Sequence, residues 1–293
     1  MDNSPAWHQV NIAFPDWSRA EHTALTRLTP LLCTAEDEGA INTWFLIRKI
    51  PCWRVRYLPG PDTEHDRIGR ELDALTAAGH IADWTPAIYE PEVHAFGGVE
   101  GMAAAHRLFH RDSRGLLTYL QGGGGAKNGH RREMSLMLGS ILMRSAGLDW
   151  YEQGDVWARV AAHRALPTTS DQRSSDRLQA AVHRLITVDA EDQMSEGGPL
   201  AHAAGWACAY AAAGQELAHL AASGALHRGL RNILAHHVIF AWNRIGLPYA
   251  TQAALAATAT TVIFGPDPTA EDGVGAVNTD TTATASGPPS APH

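Results

Sequence analysis

An α+β fold is predicted by two observations: the first ninety residues alternate strand and helix patterns, and beyond Gly98 long Ala-, Leu- and Met-rich amphipathic segments replace the strand pattern. A third observation concerns the end of the chain. After Gly265 come Gly, Pro, Ala, Thr, Asp and Ser with almost no large apolar residue, which cannot offset the ordering entropy, so 266–293 is predicted to be a disordered tail. Residues 1–265 are predicted to form one domain, with an α+β half over 5–96 and a helical half over 97–265. Phe96-Gly97-Gly98 is too short to tether two bodies that fold separately.

Trp7 to Phe14 alternates apolar and polar residues like a half-buried strand, and Ser18 to Glu38 carries Leu25, Leu28, Leu31 and Leu32 at helical spacing. Ile41 to Ile50 and Trp53 to Leu58 are β-rich and separated only by Pro51 and Cys52, which predicts a tight antiparallel hairpin. After the Pro59-Gly60-Pro61-Asp62 break, Thr63 to Ala78 places Ile68, Leu72 and Leu75 on one face and ends at Gly79, and a strand follows over Ile81 to Tyr89. The resulting order, βαββαβ, is ferredoxin-like. The helical half is predicted around 99–110, 132–147, 154–163, 173–187, 200–222, 227–245 and 249–263, with linkers at Gly122 to Gly125 and Thr168 to Asp176. The four glycines of the first linker are not followed by Gly-Lys-Ser/Thr, so they do not make a P-loop.

A net charge of −8, from 23 Lys plus Arg against 31 Asp plus Glu, argues against binding a nucleic-acid backbone, which needs a basic field. Three widely spaced cysteines, Cys33, Cys52 and Cys208, suggest neither a disulfide framework nor a zinc ribbon. Together with a Met-Asp-Asn-Ser-Pro start lacking a basic or apolar run, they predict a cytoplasmic protein. The uncharged stretch from Ile245 to Pro266 contains Pro248, Gln252 and several threonines, so it reads as a packed helix and not a membrane span.

The segment from Tyr89 to Ser113 has the character of a site. Polar, glycine-punctuated residues lie there between a strand and a helix, with carboxylates and imidazoles converging on them. In the preceding hairpin, Arg54 and Arg56 are two apart on a strand and project from one face. Two adjacent guanidiniums suit a carboxylate or developing enolate charge, while a solvated edge strand is the competing reading. Glu90 and Glu92 flank Pro91, which keeps the segment extended; either could accept a proton, orient an arginine or serve as a turn carboxylate. His94 precedes the turn at Gly97-Gly98 that enters the next helix. His106 and His110 are one helical turn apart, but no Glu follows His106 and no Cys joins them, so hydrogen-bonded or acid/base histidines are favoured over zinc ligands. Asp112 follows on the same helix. His236, His237, Asn243 and Arg244 lie on a strongly apolar helix, where polar residues either meet partners or line a cavity. Arg244 beside a Gly246 cap is also explained by the helix dipole alone. No metal or cofactor is expected.

Trp44-Phe45-Leu46-Ile47-Arg48-Lys49, Trp53-Arg54-Val55-Arg56, Tyr89-Glu90-Pro91-Glu92, Phe96-Gly97-Gly98, Arg132-Glu133, Trp150-Tyr151-Glu152 and Trp242-Asn243-Arg244, in that order, resemble the thiopeptide-type bacteriocin biosynthesis family. The same family forms the C-terminal elimination domain of lantibiotic dehydratases. The resemblance runs from Trp7 to about Phe264 and implies modification of a ribosomally made precursor peptide. In elimination members, a glutamylated Ser or Thr loses glutamate to give a dehydroamino acid. Carried onto this sequence, Arg54, Arg56, Glu92, His106 and Arg244 would be catalytic, and Glu90, His94, His110, Asp112, His237 and Asn243 would bind substrate. Those members place an arginine where this chain has Ala95, and stand-alone relatives instead fuse two dehydroalanines by a formal [4+2] cycloaddition. A third implied role is a silent module that binds the leader peptide. The expected partners are the precursor peptide and a separate glutamylating dehydratase subunit, with no nucleic acid and no membrane, and a homodimer is compatible with all three roles. On this reading the four residues Arg54, Arg56, Glu92 and His106 line one solvent-filled cleft, with Arg244 and His236 or His237 on its far wall.

Overall fold

The computed structural model describes residues 7–61, 67–124, 130–164, 172–188 and 200–265; the predicted tail over 266–293 lies outside them. Strand β1 (His8–Ala13) is followed by a 3-10 turn, Trp17–Arg19, whose N–H groups are capped by Asp16, accepting from Ser18 N at 2.9 Å. The helix then runs as α1 (Ala20–Thr23), a π-helical turn (Ala24–Leu28) and α2 (Thr29–Asp37). The wide turn sits just before Pro30, which cannot donate to an α-helical ladder, so the sequence that reads as one helix carries an adjustment in its middle.

β2 (Ile41–Lys49) and β3 (Cys52–Pro59) form the antiparallel hairpin, with Phe45 opposite Arg56 and Ile47 opposite Arg54. α3 (Arg67–Ala77) and β4 (Asp83–Ala87) complete a four-stranded sheet of order β2-β3-β1-β4 in which every neighbouring pair is antiparallel. One sheet face buries Val10, Ile12, Leu46, Trp53 and Val55 against Leu28, Leu32, Ile68 and Leu72 of the first helices. The free edge at β4 offers few donors, because Pro86 has no N–H and the Trp84 N–H is taken by Asp83 at 2.8 Å.

The remainder is helical: α4 (Val99–Tyr119), α5 (Arg131–Ser145), α6 (Trp150–Ala162), α7 (Gln172–Thr187), α8 (Ala204–Ala222), α9 (Leu230–Ile245) and α10 (Tyr249–Phe264). α4 is about two and a half turns longer than the predicted 99–110, and the first three glycines of the predicted 122–125 linker continue it in a π-helical turn over Leu120–Gly124. Part of the second predicted linker is the start of α7. Among the described residues no helix is long and apolar enough to cross a membrane.

Phe45, Ile47 and Tyr89, on the other side of the sheet, belong to the same apolar cluster as Phe109, Leu136, Val238 and Trp242 of the helices. α4 also seals the outer edge of β2. The Leu46 N–H donates to Ser113 Oγ at 3.2 Å, and His110 Nδ1 lies 2.9 Å from the Trp44 carbonyl oxygen. Unpaired edge groups of a buried strand are costly, so these two side chains fix how the long helix lies on the sheet. Arg48 ties the far corner. Its guanidinium meets Glu21 at 2.7 Å and the Ile245 carbonyl at 3.3 Å, at the C-terminal end of α9 where a cation is favoured.

Candidate functional site

β3 presents Arg54 and Arg56 on the face turned toward the helical half, while Trp53, Val55 and Tyr57 take the opposite face. Their neighbours across β1 are Asn11 and Gln9. Gln9 Oε1 accepts from Arg56 Nε at 2.7 Å, and Gln9 Nε2 donates to Asn11 Oδ1 at 3.0 Å, so the two amides orient the guanidinium from one side. From the other side it lies over the Tyr89 ring at 4.1 Å and the Phe45 ring at 5.4 Å. Arg56 is only 5% exposed, which corrects the expectation of an arginine in a solvent-filled cleft. The two aromatic rings and Gln9 replace that solvent. Burial lowers the Arg56 pKa, and Tyr89 and Glu92 oppose the shift.

Tyr89 Oη lies 2.9 Å from His106 Nε2. Burial chiefly, with Arg56 second, pushes the His106 pKa down to about 4, so the imidazole is neutral near pH 7. Burial also raises the Tyr89 pKa well above its ordinary value. The dyad is therefore uncharged and carries one shared proton between oxygen and nitrogen. Trp7 covers it, its ring centroid 4.4 Å from that of His106. Glu92 stands exposed beside this cluster, close enough to act electrostatically on both Arg56 and Tyr89. Glu90 and His94 are exposed on the same loop. The loop is held by Gly97 and Gly98, at φ 85° and 112°, conformations that favour glycine. A Cβ on Gly97 would come within 2.4 Å of Ile233 Cδ1, so the turn also needs the space.

Arg54, Arg56, Glu92 and His106 are thus brought to one side of the sheet, whereas the other predicted residues beyond the loop are engaged elsewhere. His110 is engaged at the β2 edge, with its Nε2 3.2 Å from Glu36, which also accepts from Trp44 Nε1 at 2.8 Å. Asp112 is buried; its Oδ1 accepts from Trp206 Nε1 and Tyr210 Oη, both at 2.7 Å, and its Oδ2 is paired with Arg244 Nε. Asn243 points the other way and accepts from Gln252 Nε2 at 3.2 Å. Arg244 has no exposed surface and lies over the Phe109 ring at 4.4 Å, so it forms part of an inner layer and not the far wall of an open cleft. It still acts electrostatically on Arg56. His237 is buried beside it against Phe96, with ring centroids 4.9 Å apart, and burial followed by Arg244 holds its pKa down to about 3. His236 instead bonds the Asn232 carbonyl at 2.9 Å.

Sequence reasoning missed Gln9, Trp7 and Tyr89, which contact or cover the arginine and histidine. Gln9 is signalled only by its polar place in the alternating pattern of β1. Arg228, between α8 and α9, was also missed; its NH1 reaches the Ala95 carbonyl at 3.4 Å and sets a guanidinium beside the loop. Among the described residues no three His, Cys, Asp or Glu side chains are grouped as metal ligands would be.

The family model described as lantibiotic biosynthesis dehydratase C-term matches residues 7–263. No curated protein matches the chain. Among solved structures, TsrL is similar with a TM-score of 0.62 at 16% identity, over 87% of this chain and 93% of that one. The tRNA dependent lantibiotic dehydratase MibB from Microbispora sp. 107891 is similar with a TM-score of 0.56 at 18% identity. That match takes in 90% of this chain and 28% of MibB, so the chain spans little more than a quarter of that protein's length. At such identities these likenesses concern the fold.

Proposed function

Because this chain belongs to the lantibiotic biosynthesis dehydratase C-terminal family, we propose that it modifies a ribosomally made bacteriocin precursor peptide by eliminating glutamate from glutamylated Ser or Thr. In this reading the glutamate is added by a dehydratase activity that lies outside residues 7–263. The observation that carries the reading is the pair Arg54 and Arg56 on one sheet face, with Arg56 fixed between Gln9 and Tyr89 and coupled to Glu92. In the elimination a base takes the Cα proton, the Cα–Cβ double bond forms, and the Cβ–O bond breaks to release the glutamate carboxylate. Glu92 is exposed and takes the proton. Arg54, half-buried on the same face, holds the departing carboxylate in fork geometry that lysine lacks, and Arg56, buried behind it, stabilises the enolate-like charge through its field. His106, at a pKa of about 4, is too weak a base to take the Cα proton near pH 7; it orients the Tyr89 hydroxyl and keeps the pocket uncharged apart from the arginines.

The proposed site extends to Glu90 and His94, exposed on the same loop, as residues that meet the peptide, and to Arg244 as a positive charge acting from the inner layer. The βαββαβ order and the β2-β3-β1-β4 antiparallel sheet support a ferredoxin-like N-terminal half. The apolar cluster that joins sheet and helices supports a single domain.

Mass spectrometry of a glutamylated precursor incubated with the protein tests the reaction. Each event removes one glutamate from the peptide, and unchanged mass with wild-type protein removes the reading. The [4+2] cycloaddition is the second reading, favoured by the burial of Arg56 and the neutrality of His106, since orientation of two alkenes needs little acid/base chemistry. A macrocyclic product from a dehydroalanine-containing peptide, without release of glutamate, would select it.

A further inference from the structure

The turn between α8 and α9 interlocks with the loop that carries Glu92 and His94, residue against residue. Leu226 Cδ2 packs where a side chain on Gly97 or Gly101 would reach it, at 3.4 and 3.1 Å from the Cβ positions. The His227 N–H donates to the Gly97 carbonyl at 2.8 Å, and Arg228 NH1 donates to the Ala95 carbonyl at 3.4 Å. Arg228 is thereby held at the loop by its neighbours and not by its own charge. It is half-buried, and among the described residues it pairs with no carboxylate, so one long bond occupies a group that offers five N–H donors. α4 begins after Gly98 and α9 after Gly229, neither with a side-chain cap, and the positive ends of both helices add to the field of the guanidinium. The surroundings have the opposite sign: Glu90 and Glu92 are exposed on the loop, and the chain carries a net charge of −8.

We propose that Arg228 is a specificity-determining residue of this site and binds the free carboxylate of the glutamyl group. The inference rests on the elimination reading and deepens it. A glutamyl group esterified through one carboxyl keeps the other as a free carboxylate, and Arg54 is committed to the carboxylate that departs. Without a second cation, the free carboxylate would face Glu90 and Glu92 and be repelled. The dimensions agree. The Phe96 N–H donates to the Glu92 carbonyl at 3.2 Å and closes 92–96 into one turn, on which residues three apart, such as Glu92 and Ala95, have Cβ atoms roughly 5–6 Å apart. From the ester oxygen to the free carboxylate, a glutamyl chain spans about five bonds, roughly 6 Å. One glutamyl group can therefore run from the base, Glu92, to the guanidinium held at Ala95. A neutral amide in place of the free carboxylate would give up the charge-assisted contact and its bidentate geometry.

The probe is a synthetic alanine peptide with one central diaminopropionate, its side-chain amine joined by an amide to the α-carboxyl of glutamate, so that the γ-carboxylate is free and the group is not eliminated. The comparison peptide carries glutamine there, and calorimetry gives both Kd values for the full chain. Wild-type protein should bind the glutamyl peptide about tenfold more tightly than the glutaminyl one, Arg228→Gln should bring the ratio below about twofold, and Arg228→Lys should keep about threefold. Because the ratio is read within each variant, a loop displaced by the substitution weakens both peptides and leaves the ratio unchanged. A tenfold ratio that survives in Arg228→Gln assigns Arg228 to holding the loop and overturns the proposal, as does a wild-type ratio near one or the absence of binding at millimolar peptide. The matching serine esters, followed by mass spectrometry, separate the two readings. If wild-type protein releases no glutamate from the ester while the ratio and its loss in Arg228→Gln persist, the reaction assignment fails and the carboxylate site stands. If glutamate and glutamine are released equally well, the carboxylate site fails and the reaction stands.

Discussion

His237 gives the sharpest test of the buried layer behind the arginines. Its ring has 1% exposure and neither nitrogen has a hydrogen-bond partner among the described residues, and burial, then Arg244, holds its pKa down to about 3 from an ordinary 6.5. The folded protein thus keeps the imidazole neutral where the unfolded chain protonates it. Above pH 6.5 both states are neutral and the histidine contributes nothing to the pH dependence. As pH falls from 6.5 toward 3 the unfolded state gains a proton first, so stability declines. At pH 5 the unfolded chain lies about 1.5 pH units below its histidine pKa, which corresponds to about 2 kcal/mol lost relative to pH 7.5. Urea denaturation of the wild type and of His237→Leu at both pH values isolates the effect. The variant should lose about 2 kcal/mol less stability on acidification, since other titrating groups, including His106, cancel in the double difference. Equal losses would show that His237 takes up a proton inside the fold as readily as in the unfolded chain, and its placement in a buried layer beside Arg244 would be wrong.

Arg56→Ala should abolish peptide modification and, because the buried side chain gives up its Gln9 bond and its stack on Tyr89, should also destabilise the fold by about 1–3 kcal/mol by urea denaturation; a fully stable but inactive variant would contradict the packing. Tyr89→Phe keeps a ring under Arg56 but leaves His106 Nε2 without its partner, so we expect a loss of about 1 kcal/mol and slower turnover, with unchanged turnover counting against any role for the dyad. Asp112→Ala strands the buried Arg244 and should cost about 3–5 kcal/mol, whereas Asp112→Leu combined with Arg244→Met should recover much of that in the same assay.

The parts of the fold legible in the sequence were those fixed by local pattern. The hairpin around Pro51 and the helices of the second half follow from spacing alone, and each except α4, which runs on to Tyr119, lies within a few residues of its predicted place. The ends that moved did so for reasons beyond local pattern: Leu116, Leu117 and Tyr119 extend α4 because they are buried. The site was legible in residue type and partly in position. Alternation along β3 puts Arg54 and Arg56 on one face, but it cannot say whether that face meets water or protein, and burial of an arginine depends on partners distant in sequence. Gln9 is 47 residues away and Tyr89 further on. His110 and Asp112 illustrate the same limit from the other side. Both lie on the helix that carries His106, yet the roughly half a turn between them is enough to send one to the edge of β2 and the other to Trp206 and Tyr210. Polar residues at helical spacing therefore identified the helix that serves the site, while the choice among them was made by the elements packed on each of its faces. A functional reading from sequence is strongest where strand alternation and a resemblance agree, as at Arg54 and Arg56, and weakest on a helix packed on every side.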